Sequence, residues 1–356
     1  MSGNTFGNSF RLTSFGESYG SFVGGVIEGC PPNMDIDFAL INNAIKARQT
    51  SIFAYASQRK ENDEVQFISG IMNGKTTGTP IAFLIKNQET SSTAYNKNKN
   101  VLKPSHGYFT YWKKYGIYDY KGSGRASARE TIVRVIGGCF AMMYLQQYNI
   151  TIKAYTTQIG QIQTNKKNLF YGETISSNPL HCPDNESYVK MLEVLESAKK
   201  NKDTIGAQVS CVIRNTPIGI GEPVFDKLHA DLGKAMLSIN AAKGFEIGSG
   251  FTSASMHGRE HNDLFTKEFH TKTNHSGGIQ AGISNGEVIY FSVAFKPISS
   301  IMKDQESIDI KGNPAVYIAG GKHDICVVPR VIPVVEAMAA LVIADHILRF
   351  NAYKNN

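Results

Sequence analysis

Apolar residues gather along the chain in two long stretches and a scatter of short ones. Residues 129–148 are apolar nearly all round, and residues 330–349 repeat the outline: an arginine first, then small and branched apolar side chains, then a polar exit. A helix that is apolar on every side belongs in an interior, so both are expected at the centre of the molecule. Gly137 and Gly138 would let another backbone approach the first helix closely, at some cost in helix propensity. The repeated outline is a faint internal duplication. Short β-branched and aromatic runs, SFVGGVIEG, VQFISGI, PIAFLIK, AQVSCVIRN and EVIYFSVAFK, are punctuated by Gly, Asn and Pro and predict strands in both halves. Further helices are predicted at 37–48, 187–202 and 226–239, the last with Leu228, Leu232, Met236 and Ile239 on one face. Strand and helix do not alternate as a doubly wound sheet requires, and no Pro-, Ser- or Gly-rich linker divides the chain. The expected fold is α+β, a single domain over residues 1–356 with central long helices covered by mostly antiparallel sheets.

Composition narrows the partners. With 356 residues, 42% of them hydrophobic, the chain can bury a large core, and a formal net charge of +7 favours anionic ligands. The lysines of NKNKN (96–100) and TNKKN (164–168) alternate with asparagine and lack interleaved aromatics, which reads as solvated loops and not as a nucleic-acid face. Five cysteines without CxxC spacing indicate neither a disulfide framework nor a zinc ribbon, and a cytoplasmic location is expected. The opening MSGNTFGNSF has neither the basic start nor the apolar core of a signal peptide. No apolar run reaches the ~18 residues of a membrane span, so no membrane association is expected.

The densest chemistry lies in residues 103–131. GSGRAS stands just before the first long helix, where backbone N–H groups and the positive helix end can face an anion, or where Ser127 simply caps the helix. Arg125, Arg129 and Arg134 crowd the same end. His106, between Ser105 and Gly107 in an aromatic-rich loop, is a proton donor or a hydrogen-bonded filler. AFKPISS (294–300) offers Lys296, Ser299 and Ser300 as phosphate donors or makes a plain turn. In GGKHDICVVPR (320–330) no further ligand lies at a helpful spacing from His323 and Asp324, so no metal is expected. TNHSGGIQAGISNG (273–286) is either a backbone recognition surface or an irregular loop, and Asn240 with Ala241 either serves a site or ends a helix.

Taken together and in this order, these motifs resemble those of chorismate synthases, from GNSFRLTSFGES to VEAMAALVIADHIL, through GRASARET, GEPVFDKL, KGFEIGSGF, VAFKP and GKHDICVVPR. The resemblance implies a β-α-β sandwich with internal pseudosymmetry, assembled as a homotetramer. It implies a lyase of the shikimate pathway that makes chorismate, toward aromatic amino acids, by 1,4-elimination of phosphate and a C6 hydrogen from 5-enolpyruvylshikimate 3-phosphate. Reduced FMN is required although the step has no net redox change, and the reduced flavin comes from NADPH-dependent reduction or from an external flavin reductase. By resemblance, Arg125, Ala126, Ser127, Asn240, Ala241, Ala281, Lys296, Pro297, Ile298, Ser299, Ser300 and Lys322 hold the flavin. His106 and Asp324 would flank it as proton source and proton acceptor, with Ser18, position 19 and Ser127 completing the catalytic set. Arg48, Arg129, Arg134 and Arg330 would neutralise the polyanionic substrate, since a guanidinium fork binds an oxyanion bidentately.

The chain departs from the family pattern in one region above all. The family turn ends GESHG, whereas here Tyr19 stands in place of the histidine. A phenol of ordinary pKa ~10 donates a hydrogen bond but brings no positive charge, so assistance to the departing phosphate should weaken. General acid catalysis contributes ~10²- to 10⁴-fold, which sets the scale of the loss if nothing compensates. The family's RRRPG reads ARQTS at 47–51, leaving Arg48 alone, and position 54, often basic in relatives, is Ala54. Ser123 and Ala281 replace glycine, Ala126 serine, Lys322 arginine and Ile325 proline. Two readings follow: a chorismate synthase with a weakened substrate site, or an FMN-binding homologue of the same fold without efficient catalysis.

Overall fold

The computed structural model describes residues 3–49, 55, 63–88, 93–164, 178–320 and 323–354. Two five-stranded sheets, each with antiparallel pairing throughout, enclose the two long helices. The first sheet runs β1 (Thr5–Phe6), β2 (Arg11–Gly16), β3 (Phe22–Glu28), β7 (Ile81–Lys86) and β4 (Val65–Phe67), and a small pair, β5 (Ile71–Met72) and β6 (Lys75–Thr76), stands beside it. In the second sheet the order is β11 (Ala242–Ile247), β14 (Ile289–Phe295), β10 (Ala207–Arg214), β8 (Thr151–Ile159) and β9 (Ile162–Gln163). Two further pairs, β12 (Ile279–Gln280) with β13 (Ile283–Ser284) and β15 (Gln305–Ile308) with β16 (Pro314–Tyr317), lie in loops.

Among the described residues the helices are α1 (Phe38–Gln49), α2 (Tyr108–Tyr115), α3 (Thr131–Gln146), α4 (Asn185–Lys200), α5 (Leu228–Leu237), the single turn α6 (Gly258–His261) and α7 (Ile332–Lys354). The long helices α3 and α7 pack on each other at the centre, α3 against the first sheet and α7 against the second. Gly25 of β3 faces Val133 of α3, and Glu336 of α7 accepts the Ala154 N–H of β8 at 3.0 Å. One apolar cluster runs through both sheets and both helices, from Phe10 and Ile27 through Ile136 and Leu341 to Val209 and Phe291. Asp345 of α7, itself buried, accepts the N–H groups of Asn8, Ser9 and Phe10, so the second long helix pins the chain's first turn.

The expected long helices are both present, with shifted ends. Residues 128–130 form a separate 3₁₀ turn before α3, and α7 continues to Lys354. The run at 65–71 divides, because the strand stops at Phe67 and the chain turns before Ile71. The elements β2, β8, β11 and α2 are present beyond those that the apolar runs predict. In β8 four consecutive residues, Ala154 to Thr157, are buried, so the polar-apolar alternation that marks a half-exposed strand is missing. Residues 108–115, read as aromatic-rich loop, form a helix ended by Gly116 at φ 73°. Among the described residues no helix is long and apolar enough to cross a membrane.

Candidate active site

The starts of α3 and α7, the chain just past α5 and the loops 105–107 and 296–300 close around a cavity of about 310 Å³. Ser127, in extended conformation, accepts the Arg129 N–H at its Oγ and opens the 3₁₀ turn that feeds α3. Beyond α5 the chain folds back through Ala241 at φ 68°, and Ser105 is turned likewise at φ 54°. Such left-handed alanine and serine cost ~1–3 kcal/mol each and persist where the surroundings over-determine them, as at ligand sites. Ile239, Val327, Val331 and Val334 give the cavity an apolar floor, while His106, Lys296, Ser299, Ser300, Asp324 and Arg330 give it a polar rim. Two helix N-termini meet there, and the positive ends of their dipoles favour negative charge, although the first N–H groups are already engaged, that of Thr131 by the Ala128 carbonyl and those of Ile332 and Val334 by the Pro329 and Val331 carbonyls.

The imidazole of His106 sits with Nε2 3.1 Å from Ser123 Oγ and Nδ1 3.4 Å from the Tyr118 hydroxyl. Burial, and then Lys103, Lys296 and His323, push its pKa down to about 4, so it is neutral near pH 7. Lys296 donates to the Ser105 carbonyl at 3.0 Å. Across the cavity Arg330 Nη2 lies 3.1 Å from Asp324 Oδ1. Lys103 donates to Ser300 Oγ and lies over the Tyr317 ring, and burial lowers its pKa to about 8.

The structure gathers Ala126, Asn240, Ala241 and residues 296–300 at one cavity with His106, Asp324 and Arg330. Other expected residues stand elsewhere. Arg125 turns to β2, donating to Ser14 Oγ at 2.6 Å and to the Gly16 carbonyl. Arg48, 3% exposed, donates to Thr131 Oγ1 and the Ala128 carbonyl at 3.0 Å each, and its pKa falls to about 9 through burial and then through Arg330 and Arg129. Arg129 bonds Asp63 Oδ1 at 2.5 Å and Asn87 Oδ1 at 2.9 Å. Arg134 pairs with Glu130 and Ser238, joining α3 to the end of α5. These guanidinium groups brace the start of α3 behind the cavity. Ser18 and Tyr19 contact Gly122, and Ser127 serves as the cap described above. Ala281 lies in the turn between β12 and β13; its neighbour Gly282 meets Leu228 at the far end of α5 from Asn240. Lys322, Ala54 and residues 50–51 fall outside the described residues.

Lys103, Tyr118, Asp63 and Asn87 also join this region without any signal in the sequence. The pairing of Lys103 with Ser300 spans 197 positions and leaves no local pattern. Asp63 and Asn87 are polar residues 7% and 3% exposed, and only the fold shows that both bind Arg129. A larger hollow, about 930 Å³, lies over the second sheet and is lined by Gln158, Gln208, Phe245 and Ser292. It contains none of the expected site residues, so we assign the site to the smaller cavity, where the titratable groups converge.

The smaller cavity is incomplete in its own hydrogen bonding. Asn240 Oδ1 and Arg330 Nε are buried and have no partner among the described residues. Buried polar atoms are normally satisfied, so an acceptor and a cationic donor on one cavity fit a ligand that has both a polar ring edge and an anionic group. A flavin has both.

The sequence profile described as "Chorismate synthase" matches residues 10–348. The chain belongs to the chorismate synthase family. It is 50% identical to the chorismate synthase of Cytophaga hutchinsonii over 356 residues, covering 99% of each chain. Against that of Christiangramia forsetii the identity is 51%, covering 99% of this chain and 100% of the relative. A crystal structure of chorismate synthase superposes with a TM-score of 0.77 at 26% identity, over 98% of both chains. Chorismate synthases are lyases of the shikimate pathway that use reduced FMN.

Proposed function

We propose that the chain converts 5-enolpyruvylshikimate 3-phosphate to chorismate and phosphate with reduced FMN bound in the 310 Å³ cavity. The observation that carries this reading is the convergence of His106, Asn240, Lys296, Ser300, Asp324 and Arg330 on one hollow, in a chain of this family. In the reaction the C–O bond to phosphate breaks, a C6 hydrogen leaves as a proton, and a new ring double bond forms. The residues of this cavity would hold reduced flavin, which would supply electron density to that elimination without net oxidation. The chain's residues bind and move protons. Asn240 and Ala126 would hold the flavin edge, while Lys296, Ser299 and Ser300 would take anionic oxygens. Arg330 would hold substrate charge, oriented by Asp324. His106, neutral near pH 7, would accept one proton at the cavity wall and could donate only the proton it had so taken up.

The catalytic and binding roles given to Ser18, Ser127, Arg48, Arg125, Arg129, Arg134, Ala281 and Lys322 remain part of this proposal through the resemblance alone. So do the homotetramer, the cytoplasmic location and a supply of reduced flavin from NADPH or a separate reductase. The apolar cluster shared by both sheets supports a single domain over residues 1–356. Anaerobic incubation with chemically reduced FMN and the substrate tests the function. Flavin-dependent release of phosphate supports it; flavin binding without release favours the non-catalytic homologue.

A further inference from the structure

The turn that carries Tyr19 is held at both ends. Asn87, 3% exposed just past β7, donates from Nδ2 to the carbonyls of Glu17 at 3.0 Å and Gly20 at 2.7 Å. Its Oδ1 accepts from Arg129 Nε at 2.9 Å, so both amide donors and the acceptor are engaged. Inside the turn Ser18 donates from Oγ to the Gly122 carbonyl at 2.8 Å. The Tyr19 ring lies flush against the Gly122 backbone: a Cβ built on Gly122 would stand 2.0 Å from Tyr19 Cε2 and 2.2 Å from Cδ2. Gly122 has φ 92°, a conformation that also favours glycine there. The next residue, Ser123, places its Oγ 3.1 Å from His106 Nε2. Tyr19 itself does not line the cavity.

We propose that Tyr19 is a positioning residue: its ring, clamped through Asn87 and Ser18, props the 122–124 loop so that Ser123 fixes the His106 imidazole in the cavity wall. The inference deepens the chorismate synthase reading of that cavity and rests on it. A tyrosine at this place then contributes through its ring, which occupies the space over Gly122. Phenylalanine preserves that ring, whereas alanine leaves a hollow into which the loop relaxes or water enters. The groups facing His106 are Lys103, Lys296, His323 and Tyr118, so a displaced imidazole moves relative to three bases and one phenol.

The test is the NMR titration of the His106 ring in the natural chain and in Tyr19→Phe, Tyr19→Ala and Asn87→Asp, with turnover of the same proteins measured alongside. The natural chain and Tyr19→Phe should share the low His106 titration, while in Tyr19→Ala it moves toward the ordinary ~6.5. Turnover should fall at least ~10-fold further in Tyr19→Ala than in Tyr19→Phe, the opposite of a role as proton donor, where both lose the ~10²- to 10⁴-fold benefit alike. Asn87→Asp keeps the acceptor for Arg129 but loses both donors to the turn, and should move His106 as Tyr19→Ala does. If Tyr19→Ala does not fold, Asn87→Asp decides. An unmoved titration in either variant, or a Tyr19→Phe shift as large as that of Tyr19→Ala, overturns the proposal. The titration needs no substrate, so moved titrations without phosphate release in any protein would sink the functional reading alone. Turnover with unmoved titrations would sink this inference alone.

Discussion

Gly138 of α3 meets Ala337 of α7 so closely that a Cβ on Gly138 would stand 2.3 Å from that of Ala337. The crossing of the two buried helices is set by this contact, and the same helices supply two walls of the cavity at their N-terminal ends. Gly138→Val should therefore destabilise the fold by ~1–3 kcal/mol or more through overpacking, read as a lower urea midpoint. Unchanged stability would mean that the helices pack less tightly than described.

His106 should leave a mark on the pH dependence of stability. Its folded pKa, about 4, lies below the ordinary 6.5, so between those values the unfolded chain binds a proton that the folded chain refuses. Stability from this group is complete above pH 6.5 and is lost as pH falls through the window toward about 4. His106→Gln should flatten the stability profile in that window, measured by urea unfolding at a series of pH values. An identical slope in both proteins would place His106 in water.

Lys103 predicts a pH dependence of the opposite kind. Its ammonium, next to Ser300 on the cavity rim, is neutralised above about 8 because burial disfavours the charge. Affinity for FMN, followed by fluorescence quenching, should fall as pH rises through about 8. Arginine stays charged, so Lys103→Arg should bind FMN with little change over the same range. A natural chain whose affinity is flat across that range would remove Lys103 from the anion site.

Asn240 tests the incomplete hydrogen bonding. Asn240→Ala removes the buried Oδ1 that has no partner among the described residues, together with one bond from Nδ2 to the Ala126 carbonyl at 3.1 Å. Flavin affinity should drop ~10-fold or more, since a lost polar contact in a buried site costs ~1–3 kcal/mol. Stability without flavin should change by less than ~1 kcal/mol. A larger loss of stability than of affinity would assign Asn240 to the fold.

The sequence made some of this legible and hid the rest for physical reasons. The long helices announced themselves because α3 and α7 are apolar all round, and β3, β7, β10 and β14 because β-branched runs bounded by Gly and Pro stand out locally. Residues such as His106, Asn240, Lys296 and Arg330 could be placed in one site only through the family resemblance, since they are far apart in the chain. What was hidden is the commitment of the arginines. Nothing near Arg48 or Arg129 says that Asp63 and Asn87 will claim them, because those contacts form only when the first sheet packs on α3. Tyr19 is the same case: its replacement of histidine is visible in the sequence, and its contact with Gly122 is not.

The most direct measurement is the stoichiometry of an anaerobic reaction between the chain, chemically reduced FMN and 5-enolpyruvylshikimate 3-phosphate. We expect phosphate and chorismate to appear in equal amounts over many turnovers while the flavin ends as reduced as it began. Absence of phosphate with flavin fully bound, or product formed only in step with flavin oxidation, would contradict the account.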